Sequence, residues 1–135
     1  MADLSIGNIT PTSSTIIDKT YSASTAISQG IWVYVNSSGL LAAGDCTADA
    51  SSEVLGITLN TTTAANQPQA VATGGQVESS GTPFTEGNIC ILSEAGAMCP
   101  QTDLAATEYA VTLGSAVTTA AFDIKIHKAG GQLSA

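Results

Sequence analysis

The chain has 135 residues and a mass of 13.5 kDa, the size of one domain that buries about two-thirds of its unfolded surface. Three basic residues (Lys19, Lys125, Lys128) oppose eleven acidic ones, giving a net charge of -8 and a pI near 4.1, so a polyanion is repelled and nucleic acid is excluded as a direct partner. No apolar run approaches the roughly 20 residues of a bilayer span, and the amino terminus lacks the charged-then-apolar order of a signal peptide, so the expectation is a chain made and kept in a cytoplasm, with no membrane partner.

Residues 1–28 are dense in Ser, Thr and Ile, contain Pro11 and show no sustained helical period, which predicts an extended N-terminal arm with one strand near Ser14 to Asp18. A single β domain is expected over residues 29–135. Gly30 to Val35 is rich in β-branched and aromatic residues, and Asn36-Ser37-Ser38-Gly39 then supplies a turn before Leu40-Leu41, a hairpin signal. Further strands are predicted at Val54 to Leu59, Gln69 to Thr73, Gln76 to Ser79, Ile89 to Ser93, Tyr109 to Ala116 and Phe122 to His127. A helical turn near Asp103 to Glu108, capped by Asp103, is the one exception. Short strands separated by Gly and Ser/Thr/Asn clusters predict an all-β fold, an antiparallel barrel or sandwich.

Two stretches, about 30–77 and 87–133, agree in position and kind and read as pseudo-repeats. Gly30 to Gly39 matches Gly87 to Gly96, Val54-Leu55-Gly56 matches Thr112-Leu113-Gly114, and Gly74-Gly75-Gln76-Val77 matches Gly130-Gly131-Gln132-Leu133. Neither unit buries a β face alone, but packed together they close one barrel or sandwich.

Candidate chemistry is sparse. His127, the only imidazole, lies on the polar side of the alternation Phe122-Asp123-Ile124-Lys125-Ile126-His127, where a solvated strand histidine is expected. Asp45, Asp49 and Glu53 are close enough in sequence to converge, as a hydrolase carboxylate pair or a calcium loop requires, but their Ala/Ser/Thr loop lacks glycine-turned ligand spacing and stacking aromatics. Cys46, Cys90 and Cys99 have no zinc-knuckle spacing and an odd count, so buried or half-buried thiols are expected. No phosphate loop, nucleotide fingerprint or nucleophile elbow occurs, and the reading is a non-enzymatic protein with no catalytic, cofactor-binding or metal residues. Trp32, Tyr34, Phe84 and Tyr109 are the isolated large aromatics; with Ile16 and Ile17 they are the candidates for an oligomer or partner interface.

The segments Ser28 to Tyr34, Leu55 to Asn60, Gln67 to Val71, Gly96 to Leu104, Leu113-Gly114 and Phe122 to Ile126, taken in that order, resemble the small tailed-phage capsid decoration (cement) proteins. The most distinctive piece is Cys99-Pro100-Gln101-Thr102-Asp103-Leu104. The resemblance spans about Gln29 to Leu133 and implies a structural, homotrimeric virion protein on the capsid exterior, with the major capsid protein as partner and no catalytic residues. A tail or fibre component that binds a host glycan is the second reading, and a small hydrolase using the acidic loop is the third.

Overall fold

β-Branched and aromatic runs punctuated by glycine form strands because branched side chains pack well on a pleated surface and glycine accepts the turn conformations between them. The computed structural model describes residues 3–4, 6–101 and 109–132. Among them ten strands make one antiparallel sheet that curls into a half-barrel: β1 (Ile9–Pro11), β2 (Ile16–Asp18), β3 (Trp32–Val35), β4 (Leu41–Ala43), β5 (Gly56–Thr58), β6 (Val71–Ser79), β7 (Ile89–Leu92), β8 (Met98–Pro100), β9 (Tyr109–Ala116) and β10 (Ala121–Gln132). The order is β4-β3-β5-β6-β10-β9-β7-β8, with β1 and β2 both on β6.

The sheet turns on β6. Its first part, Val71 to Gly74, has β5 on one edge and β2 on the other, since Ala72 faces both Ile57 and Ile17. Its second part has β10 and β1, since Val77 faces both Phe122 and Pro11. The N-terminal chain therefore changes edges between Pro11 and Ile16 by passing over β6. It does so at Gly75, whose φ is 75° and where an added Cβ would stand 1.9 Å from the Ser14 carbonyl oxygen. Thr12 Oγ1 and Thr15 Oγ1 both donate to the Gln76 carbonyl, at 2.9 and 2.5 Å, and tie the crossing down.

Sequence reasoning expects two strands, at Gln69–Thr73 and Gln76–Ser79, broken by the two glycines. The structure instead has one strand bent at that point, because the glycines accommodate a crossing chain rather than a turn. β1 and β8 are further strands the pattern does not announce: each is three residues long and carries a proline, which suits a sheet margin. The helical turn expected near Asp103 to Glu108 lies outside the described residues.

Two apolar clusters hold the sheet. The larger lies inside the curl and joins Trp32, Ile57, Ala72 and Val77 to Leu92, Val111, Leu113, Phe122 and Ile124. The smaller lies behind the first part of the sheet, where Val33, Leu41 and Val71 meet Ala23 and Ile27 of the segment that follows β2. Alternation along β3 sends Trp32 to the first cluster and Val33 to the second. This accounts for the unbroken apolar run from Ile31 to Val35: both faces of β3 are covered. The covering segment is hydrogen-bonded in place, with Leu41 N–H donating to Ser22 O (2.9 Å), Ser24 N–H to Leu41 O (2.8 Å) and Ile27 N–H to the buried Thr62 hydroxyl (2.9 Å).

Candidate interaction surface

The loop from Gly44 to Leu55 carries the acidic candidates and spans the two ends of the sheet. Gly96 N–H donates to Gly44 O (2.6 Å), Tyr109 N–H to Cys46 O (2.7 Å) and Cys46 N–H to Ser93 O (3.3 Å), so the loop is stitched to the turn before β8 and to the start of β9. Its acids complete the attachment. Lys128, on β10, pairs with the Asp49 carboxylate, donates to the Asp49 carbonyl (2.9 Å) and reaches Glu53 Oε1 at 3.4 Å. The same ammonium lies 5.4 Å from the centre of the Tyr109 ring.

Asp49 and Glu53 do converge, but on a lysine that occupies the position a bound cation would take. Burial pulls the Lys128 pKa down, and the hydrogen bond and charge of Asp49, then those of Glu53, outweigh it and raise it above the ordinary lysine value. Asp45 turns elsewhere: its carboxylate accepts from the Thr47 N–H (2.9 Å) and hydroxyl (2.6 Å). Burial pushes its pKa up, while those bonds and one from the Ala95 backbone hold it below the usual aspartate value. Among the described residues no group of three or more His, Cys, Asp or Glu side chains is arranged to hold a metal ion.

The remaining candidates separate by burial. Trp32 and Phe84 are inside the half-barrel, at 0% and 5% exposure, both packed on Phe122: Trp32 edge-on at 6.2 Å between centroids, Phe84 tilted at 5.3 Å. With so few aromatics in the chain, these rings fill the core rather than the surface, so neither is available on this chain's exterior. Tyr34 and Tyr109 are half-buried, and Tyr109 is engaged by Lys128. Ile16 and Ile17 are exposed, at 61% and 40%. His127 is exposed, while Phe122 and Ile124 of the same strand are buried, as the alternation predicts. All three cysteines are buried, and burial pushes the Cys90 thiol up to about 11, which leaves it protonated and unreactive at neutral pH.

Sequence reasoning missed two surface features. Ile89 and Val117 are exposed, at 41% and 44%, although Ile89 opens the apolar run Ile89 to Leu92. An open cleft of about 270 Å³ lies beside β4, walled by Ala26, Ile27, Ile31, Ala43 and Ala95 with Thr25 and Ser28 at its polar side. No local pattern marks the cleft, because its walls come from three separate stretches of chain. Comparison with protein-family models gives no match, and comparison with curated proteins gives none either.

Proposed function

We propose that this chain is a structural virion protein that binds the outer surface of a tailed-phage capsid and stabilises it, as a homotrimer whose partner is the major capsid protein. The observation that carries the reading is that Lys128 and the acids it pairs with brace the chain's own β body, while two adjacent exposed isoleucines, Ile16 and Ile17, sit on a short N-terminal strand at the margin of that body. Such a protein acts by holding neighbouring shell subunits together. It needs rigidity and repeated attachment points rather than chemistry, and symmetric copies bound side by side convert weak single contacts into a tight one. The engagement of Asp49 and Glu53 by Lys128 favours this over the hydrolase reading, because both acids are charge-paired with one lysine rather than left as a free carboxylate pair.

The same reading takes residues 1–28 as the arm of the protein and the body as two copies of one four-strand unit. Supporting the second point, the order β4-β3-β5-β6 continues as β10-β9-β7-β8, the same connectivity in reverse. Val33 faces Gly56 in the first unit and Cys90 faces Gly114 in the second, positions that the sequence alignment equates. The Gly-Gly-Gln matches are not part of this correspondence. Ile57 faces Ala72, two residues before Gly74, whereas the equivalent Ser115 faces Asp123, well short of Gly130.

A cryo-EM map of the virion tests the proposal. Density for the chain on the shell exterior, in threefold clusters, is the expected result; a shell whose exterior carries none of it overturns the proposal. Labelling confined to the tail tip supports the fibre reading instead.

A further inference from the structure

The loop between β4 and β5 begins and ends at one point. An added Cβ on Gly44 would stand 2.4 Å from Val54 Cγ1, and Asp45 N–H donates to Ser51 O at 2.9 Å. On either side the chain is fixed to β3, where Gly44 N–H donates to Trp32 O (2.8 Å) and Leu55 N–H to Val33 O (2.7 Å). Within the loop Ser51 Oγ donates to Asp45 O (3.1 Å) and Ser52 Oγ to Asp49 O (2.7 Å), so it is a compact unit closed on its own hydrogen bonds. Such a unit swings on its two anchors without drawing either strand out of the sheet. Little apolar surface holds it down: Cys46 is buried, but Ala48 and Ala50 are exposed. The bonds that fasten it to the strands opposite are polar, from Cys46 to Ser93 and Tyr109 and from Lys128 to Asp49 and Glu53.

We infer that residues 45–53 form a lid that opens as one unit on the folded sheet, anchored at Gly44 and Val54 and latched by Lys128 through Asp49 and Glu53. A segment with few buried apolar contacts opens at a lower free energy than the strands it lies on. Closed, the lid occupies the Ser93 carbonyl at the end of β7 and the Tyr109 N–H at the start of β9. Open, it uncovers both backbone groups and brings the Cys46 thiol into water. The latch is electrostatic and its acids face solvent, at 70% exposure for Asp49 and 69% for Glu53, so dissolved salt loosens it. The lid is a property of the single chain and does not depend on the capsid.

The cysteines supply the test. Cys46 lies in the lid, and Cys90 lies in β7 against the interior cluster, so opening of the lid exposes the first and only unfolding of the sheet exposes the second. Full-length protein is labelled with N-ethylmaleimide under native conditions, and the modified peptides are followed by mass spectrometry. Cys46 is expected to react well before Cys90, at a rate that dilute urea hardly changes, while the Cys90 rate climbs steeply with urea. Lys128→Met is expected to speed Cys46 labelling about 2–5-fold and Lys128→Arg to keep it slow, since the loss of one partly exposed ion pair sets the size of the effect. Raising salt to about 1 M is expected to speed it in the wild type and not in Lys128→Met. Labelling of Cys46 and Cys90 in step, with the same urea dependence, overturns the inference, as does a Cys46 rate indifferent to Lys128→Met. Should that variant fail to fold, the urea and salt dependence of the wild type still decides.

Discussion

β3 and β10 belong to the same sheet and contribute to the same interior cluster, yet they are built from different kinds of sequence. Ile31 to Val35 is apolar at every position, and Phe122 to His127 alternates residue by residue. The difference lies behind the sheet. Ala23 and Ile27 pack on Val33 and Leu41 at the back of β3, whereas the side of β10 that carries Lys125 and His127 faces water. A strand's pattern thus records how many of its faces are covered, and the cover behind β3 is supplied by the N-terminal segment, held across β6 by the close approach at Gly75.

The comparison breaks most severely if that approach is blocked. Gly75→Val forces a side chain onto the Ser14 carbonyl at a backbone conformation β-branched residues avoid; the expected loss is about 3 kcal/mol or more, read as a fall in the urea midpoint or a failure to accumulate. Next in size is Leu41→Ala. If the back cluster is a true second core, removing this fully buried side chain costs about 2–5 kcal/mol, as in an interior site; a loss below about 1 kcal/mol contradicts the double cover.

On the β10 side the expected effects are smaller. Lys128→Met removes the brace on the 44–55 loop, and a partly exposed ion pair of this kind contributes about 0.5–1 kcal/mol. Because the folded pKa of Lys128 is raised above 10.5, its contribution is fully present below that pH and is lost as pH rises through the folded value, so wild type and Lys128→Met converge in melting temperature on the alkaline side. Asp45 has the opposite sign: its folded pKa lies below 3.8, so its stabilisation is present above that pH and is lost on acidification through the folded value. The smallest expected effect is that of His127→Ala, within about 0.5 kcal/mol, since the ring is exposed on the solvated face.

Much of this was legible in the sequence for a physical reason. Period-two alternation fixed the facing of β10, and the hairpin through Asn36 to Gly39 returned β3 onto β4 as its turn residues require. What escaped depends on distant partners. Trp32 and Phe84 look like free anchors in a chain poor in aromatics until the curl brings Phe122 between them. Gly74-Gly75 looks like a break until Ser14 is laid across it, and the cleft exists only where Ala26, Ala43 and Ala95 meet. Ile16 and Ile17 stand out in the sequence as adjacent isoleucines in a Ser/Thr-rich segment, and the structure leaves both exposed.

The central functional claim is tested most directly by the copy number of this chain in purified virions, measured by quantitative mass spectrometry against the major capsid protein. A decoration protein is expected in a fixed, near-stoichiometric ratio to the shell subunit. A few copies per particle, or none, contradicts the claim.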